Sequence, residues 1–213
     1  MNAHFPTNNT AIKLYRFALS GHCHRVELFL SLLDLPYELV DLDLPNGEHK
    51  QASFLQINPF AQVPAIDDNG TLLTDSNAIL VYLAKRYGGD QSWLPEGPVA
   101  AANVQRWLSV AAGELAAGPA AARLVTVFGA ALDHELVKKK AHSVLRLIDE
   151  VLSDRGFLAS EEISLADMAC YTYIKHAPEG GVLLDTYPHI LAWLQSIEAL
   201  PGYIAMLATD TPA

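Results

Sequence analysis

The sequence predicts an α/β domain of order βαβ-ββα followed by an all-helical bundle, and three observations carry this. The first 87 residues alternate short apolar runs with helix-like stretches. A Gly/Pro-rich segment, "GGDQSWLPEGP" (88–98), then interrupts the chain. Beyond it the pattern is helical and alanine-rich, with no strand.

The elements follow in order. "IKLYRF" (12–17) reads as a strand, 23–34 as a helix, and "YELVDLDL" (37–44) as a second strand after the breaker Pro36. A polar stretch leads to the short helical "SFLQIN" (53–58). "QVPAIDDNGTLLT" (62–74) reads as a hairpin turned by Asp68-Asn69-Gly70. "DSNAILVYLAKRYG" (75–88) is a helix with Ile79, Leu80, Tyr82 and Leu83 on one face and Gly88 as its stop. Helical patterns then run over 98–127, 133–153, 164–176, 188–199 and 201–208, the first with Pro119 inside it as a kink. In "ISLADMAC" (163–170), Ser164 and Asp167 form a capping box and Ile163 and Met168 a hydrophobic staple. The expected organisation is a loose tail (1–11), the α/β domain (12–87), a linker (88–97) and the helical domain (98–213).

Composition narrows the class. With 51% hydrophobic and 18% charged residues, the 213-residue chain is globular, with a large core. The net charge of −10 divides as −3 before residue 88 (6 basic, 9 acidic) and −7 after it (8 basic, 15 acidic), so neither half attracts nucleic acid. The basic run Lys138-Lys139-Lys140 reads as a solvated helix face. Cys23 and Cys170 are too few for a disulfide scaffold, which points to a reducing, cytoplasmic setting. Residues 1–11 lack the pattern of a signal peptide, and no run approaches the ~18 apolar residues that span a bilayer.

The chemistry concentrates in "FALSGHCHRV" (17–26), where the first strand turns into the first helix. A serine hydroxyl, a reactive thiol, a His-Cys-His metal site and a plain helix cap all fit such a run. Metal is set aside: His22, Cys23 and His24 are adjacent and cannot all point at one ion, and no second His/Cys pair stands at ligand spacing. Cys23 falls in the first helical turn, where thiol pKa values drop. Tyr15 lies earlier, within the strand.

Two other places suit a small acidic peptide. Pro64 sits inside an apolar strand pattern, where it removes a ladder donor. A cis Val63–Pro64 bond at the sheet edge would leave the Val63 N–H and C=O pointing outward, ready for an extended peptide. Asp75 and Ser76 open a helix, where free N–H groups and the dipole favour a carboxylate, although both residues also serve as plain caps.

The spaced set Asn58-Pro59, Val63-Pro64 and Asp75-Ser76, within "GEHKQASFLQINPFAQVPAIDDNGTLLTDSNAILVYLAKRYG" (47–88), resembles the glutathione transferase family. With the helical second half and the "SLAD" box, the resemblance covers about residues 12–208. It implies a thioredoxin-like N-terminal domain, glutathione as co-substrate without a metal, a small hydrophobic electrophile and a homodimer. "GEHKQASFLQINP" aligns without gaps to the loop that holds the glycine end of glutathione in theta-like members. By that resemblance His49, with Lys50 beside it, contacts the glycyl carboxylate, and Gln62 lies nearby. Ser20, five residues before Arg25, matches the catalytic serine of zeta-type members and the catalytic cysteine of omega-type ones. Where zeta-type members carry a Ser-Ser-Cys run this chain has Ser20-Gly21-His22, which leaves the class open.

Ser20 is the favoured catalytic residue; Cys23, an assisting His22 or backbone group, and Tyr15 stay as alternatives. In this reading the nucleophile is the substrate thiol, whose pKa of about 8.5 leaves little thiolate at neutral pH. A hydroxyl donor and a helix N-terminus lower that pKa, and a drop of about 2 units needs roughly 2.7 kcal/mol. The electrophile is expected between the two domains, where Ala112, Gly113, Ala116 and Ala117 leave room. Two other functions compete: a glutathione-dependent disulfide reductase using Cys23, and a non-catalytic interaction protein built on the same scaffold.

Overall fold

A computed structural model of the chain describes residues 10–89 and 93–209. β1 (Ile12–Arg16) buries Ile12 and Leu14 and pairs in parallel with β2 (Tyr37–Asp41), Leu14 opposite Leu39. α1 (Gly21–Leu32) supplies the crossover that parallel neighbours require. β3 (Ala65–Asp68) runs antiparallel on the other side of β1, and β4 (Thr71–Thr74) returns from it, giving the order β2-β1-β3-β4. Asn69 and Gly70 turn the hairpin with φ of +52° and +89°, the left-handed values such a turn needs.

The second strand stops at Asp41, three residues short of the expectation. Asp43 takes over there: its carboxylate accepts from the backbone N–H and the side chain of Asn46, and a turn replaces the ladder. A 3₁₀ turn (Glu48–Lys50) and α2 (Ala52–Leu55) follow. Leu42, Phe54 and Ala65, with Tyr15, Leu44, Ile57 and Val63 against them, form a small apolar cluster that supports these loops.

The Val63–Pro64 peptide is cis, but it does not lie along a sheet edge. Pro64 immediately precedes β3, an interior strand, so the proline sits at a strand's start, where it removes no ladder bond.

α3 (Ser76–Tyr87) closes the sheet part and buries Ile79, Leu80 and Leu83. Trp93 then anchors the connection: it is buried edge-on to Phe29, and its carbonyl accepts from the Leu165 N–H. The helical part comprises α4 (Pro98–Ala112), α5 (Ala121–Phe128), α6 (His134–Leu152), α7 (Leu165–Lys175) and α8 (Pro188–Glu198). α7 is its centre, buried from Leu165 to Ile174 and packed against α1 and α4. The capping box is formed: the Asp167 carboxylate accepts from the Ser164 N–H, the Leu158 N–H and Trp193 Nε1, each at 2.9 Å.

Three expectations are corrected. The helix predicted over 98–127 with a kink at Pro119 is interrupted earlier as well: α4 ends at its C-cap Gly113, whose backbone leaves the helical region (φ −102°, ψ −86°). Pro119, which has no N–H to continue the regular ladder, lies in a π-helical turn (Ala116–Ala120) before α5. The stretch Pro98–Phe128 is, by length and composition, long and apolar enough to cross a membrane, contrary to the sequence expectation. It carries core residues, Val104, Trp107, Leu108, Ala111 and Leu115 among them. Residues 203–209, finally, are not helical. Gly202 turns the chain at φ +85°, and the side chains of Ser31 and His24 bond the carbonyls of Gly202 and Ile204. A segment that short is marginal as a helix on its own, and these side-chain bonds hold it in another conformation. The residues expected to form the extreme N-terminal tail and the middle of the linker, 1–9 and 90–92, lie outside the described residues.

Candidate active site

A cavity of about 710 Å³ opens between the sheet part and the helical part. On the sheet side it is lined by Ser20, His22, His49, Gln62, Val63, Pro64, Asp75 and Ser76, so residues far apart in the chain meet at one place. Lys50, next to His49, is exposed and outside the lining. Tyr15 packs edge-on to Phe54 in the small cluster under the loops, also outside it.

Ser20 is the N-cap of α1. Its extended backbone (φ −87°, ψ 117°) brings Oγ over the helix end, where it accepts from the Cys23 N–H at 3.3 Å. That bond uses a lone pair of the hydroxyl and leaves its proton to donate into the cavity. Gly21 follows because Tyr173 lies against it: a Cβ there would stand 2.8 Å from the Tyr173 ring.

His22 is set edge-on to the same tyrosine, with ring centres 5.0 Å apart, and its Nδ1 lies 3.3 Å from Ser76 Oγ. Burial, and then the neighbouring Arg25, push its pKa down to about 3, so the imidazole is neutral at physiological pH. His24 points the other way. Its ring nitrogens meet Thr172 Oγ1 at 2.9 Å and the Ile204 carbonyl at 3.0 Å, and burial lowers its pKa to about 4.

Cys23 departs from the expectation of a reactive thiol. It is in the first turn of α1, but it is only 1% exposed and faces the core, with the Phe17 N–H donating to its sulfur at 3.4 Å. Burial raises its pKa to about 11 and outweighs the hydrogen bonds that favour the thiolate.

Asp75 and Ser76 open α3. Asp75 caps it by accepting from the Ala78 N–H at 2.9 Å, and does so with φ at +68°, a left-handed conformation uncommon for aspartate. Ser76 Oγ accepts from Arg25 Nη1 at 3.1 Å, and the same guanidinium, fully buried over the Tyr173 ring, also donates to Asn77 Oδ1 at 2.9 Å. His49 contributes a buried Nδ1 with no hydrogen-bond partner among the described residues. The Val63 backbone N–H and C=O are likewise without hydrogen-bond partners among the described residues. Asn58 shapes this bend from below: its amide donates to the Gln62 carbonyl at 2.7 Å and accepts from the Phe60 N–H at 3.1 Å.

The opposite wall is mostly apolar: Ala116, Ala120, Leu124 and Phe128, with Phe17 and Leu19 beside them. Ala116 alone of the four small residues expected to leave room lines the cavity. Ala112, Gly113 and Ala117 are exposed and outside the lining. Tyr173 and Arg123 in the lining were not singled out from the sequence. Arg123 did leave a signal, as the sole charged residue between Glu114 and Asp133. Among the described residues, no group of three or more His, Cys, Asp or Glu side chains is gathered for a metal ion.

Both halves of the chain also match known proteins. The family model "Glutathione S-transferase, N-terminal domain" matches residues 10–85, and "Glutathione S-transferase, C-terminal domain" matches residues 128–201. The chain is 32% identical over 204 residues to glutathione S-transferase 3 of Zea mays, covering 90% of this chain and 91% of the relative. It is 31% identical over 201 residues to glutathione S-transferase theta-1 of Mus musculus, covering 90% and 84%. It also superposes on the crystal structure of a glutathione S-transferase from Pseudomonas fluorescens with a TM-score of 0.87 at 31% identity, covering 93% of this chain and all of that one. A peptide-sized cleft at the start of two helices is thus joined to family matches in both halves, and the chain belongs to the glutathione S-transferase family of enzymes.

Proposed function

We propose that the protein raises the reactivity of glutathione by holding its thiol as a thiolate against Ser20, and delivers it to a small hydrophobic electrophile on the helical wall. The observation that carries this reading is the state of Ser20. Its oxygen is turned to the cavity by the N-cap bond from Cys23, and its proton is left to donate. A hydroxyl donor together with the helix N-terminus favours the charged sulfur by the few kcal/mol the reaction needs.

Glutathione lies along the sheet side in this proposal. Asp75 and Ser76 take one of its ends at the α3 N-terminus, and the unpaired Val63 backbone meets the cysteinyl part. His49, through its unpaired Nδ1, takes the glycyl carboxylate, with Gln62 nearby. His22 stays neutral beside Ser76 and does not compete as a cation for the sulfur. The disulfide-reductase alternative has no support, since Cys23 is buried and its thiol pKa raised. A homodimer working in the cytoplasm, with domains at 12–87 and 98–213 joined by the 88–97 linker, belongs to the same proposal.

The test is Ser20→Ala. It is expected to keep glutathione affinity within about threefold while moving the pH midpoint of turnover with an aryl halide upward, toward that of free thiol. An unchanged pH profile would remove Ser20 from the mechanism.

A further inference from the structure

The peptide plane just before Ser20 is held at both of its polar atoms. The Ser20 N–H donates to the Phe17 carbonyl at 2.9 Å, within the loop itself. The Leu19 carbonyl, on the other side of the same peptide, accepts from Arg123 Nη1 at 2.7 Å, across 104 residues of sequence. One bond is local, and the other comes from α5 in the helical part.

Arg123 is in turn fixed. Its Nε donates to Glu179 Oε2 at 2.5 Å, and both side chains are buried, with relative exposures of 3% and 6%. Glu179 is held by His176 Nδ1 at 2.6 Å and by Thr209 through Oγ1 at 2.7 Å and its N–H at 3.2 Å. Burial alone would raise the Glu179 pKa, but the bonds from His176, Thr209 and Arg123 hold it at about 2, so the carboxylate stays charged. A buried ion pair contributes little net stability compared with apolar packing, because desolvation offsets the attraction. What it does supply is direction: a planar guanidinium locked on one edge presents its other N–H at a set angle.

We propose that Arg123 is a positioning residue for catalysis, holding the Leu19–Ser20 peptide from the helical part so that the Ser20 hydroxyl meets the bound thiol. This inference rests on the Ser20 reading above. It connects the C-terminal segment to the chemistry through Thr209, Glu179, Arg123 and Leu19 in turn. Arg123 acts through Ser20 and not through its own charge, which Glu179 neutralises.

The test measures the pKa of glutathione bound to the enzyme, from the ultraviolet absorbance of its thiolate, alongside glutathione affinity by calorimetry. Arg123→Gln is expected to raise that pKa by about one unit, a roughly tenfold shift of the thiol–thiolate equilibrium toward the thiol, with affinity held within about threefold. Added to Ser20→Ala, it should raise the pKa no further, because the two act as one unit. Should the glutamine variant not fold, Arg123→Lys keeps the charge beside Glu179 but gives up the forked donor, and the same rise is expected. An unshifted pKa in a folded Arg123 variant, with Ser20→Ala shifted, would overturn the positioning role alone. Additive shifts in the double variant would also overturn it, in favour of a direct charge effect. No shift in Ser20→Ala itself would overturn the Ser20 reading, and the positioning role with it.

Discussion

Ser76 Oγ stands 3.3 Å from His22 Nδ1, so the first turns of α1 and α3 meet at the edge of the cavity. Arg25 donates to the same oxygen from below. The serine thus joins a neutral imidazole and a buried cation, and the two helix N-termini share one polar floor.

That position separates Ser76 from His49. Ser76→Ala is expected to weaken glutathione binding by about 1–2 kcal/mol and also to lower folding stability by about 1–3 kcal/mol, since the buried Arg25 loses an acceptor. His49→Ala should weaken binding to a similar degree while changing stability by no more than about 0.5 kcal/mol, because its Nδ1 has no hydrogen-bond partner to lose among the described residues. Calorimetry and urea unfolding on the two variants check the contrast. A His49 variant that binds glutathione like the parent would make this histidine a surface group.

Cys23→Ser should leave conjugation within about twofold of the parent. The intact enzyme should react with iodoacetamide far more slowly than glutathione does, since the Cys23 thiol is buried with its pKa raised to about 11. Rapid alkylation with loss of activity would return the chemistry to the thiol.

Acid should destabilise the fold before most carboxylates titrate. His22 and His24 have folded pKa values of about 3 and 4, below the ordinary 6.5, so the unfolded chain binds protons first as pH falls. Stability is therefore unaffected by these groups well above pH 6.5 and drops as pH falls from there, toward 4 for His24 and toward 3 for His22. Urea midpoints across this range should fall steeply in the parent and less steeply in His24→Gln. Equal slopes would remove His24 from the effect.

Asp167→Ala should cost about 3 kcal/mol or more, one of the largest single losses in the protein. Its carboxylate is the shared acceptor for the Ser164 and Leu158 N–H groups and the Trp193 indole, all buried. Asp167→Asn keeps one acceptor oxygen and should lose less; equal losses would argue against the hydrogen-bond account.

Much of this was legible in the chain. Local chemistry announces itself: Asn69-Gly70 turns a hairpin wherever it falls between apolar runs, and Ser164 and Asp167 cap a helix by their spacing alone. Ser20 and Asp75 were readable for the same reason, being caps whose positions follow from where helices begin, and Ser76 follows Asp75 as the first residue of α3. The strand end at Asp41 was missed because apolar alternation continues past it, while the Asp43 turn that stops it depends on side-chain geometry. The segment after Gly202 has a helical pattern, yet its carbonyls are claimed by side chains of α1 from outside it.

The sequence by itself determined most of the element types, the division into a sheet part and a helical part, and the small set of polar residues that open helices, because caps, turns and periodicity act over a few residues. Only the tertiary structure decided which of those residues face one cavity and which face the core. Cys23 and His22 are neighbours in the same turn, yet helix rotation buries one and brings the other to the cavity. It also decided that Arg123 reaches Leu19, a bond across 104 residues that no local pattern encodes. Packing between α5 and the loop before α1 sets that contact, and packing is a property of the whole chain.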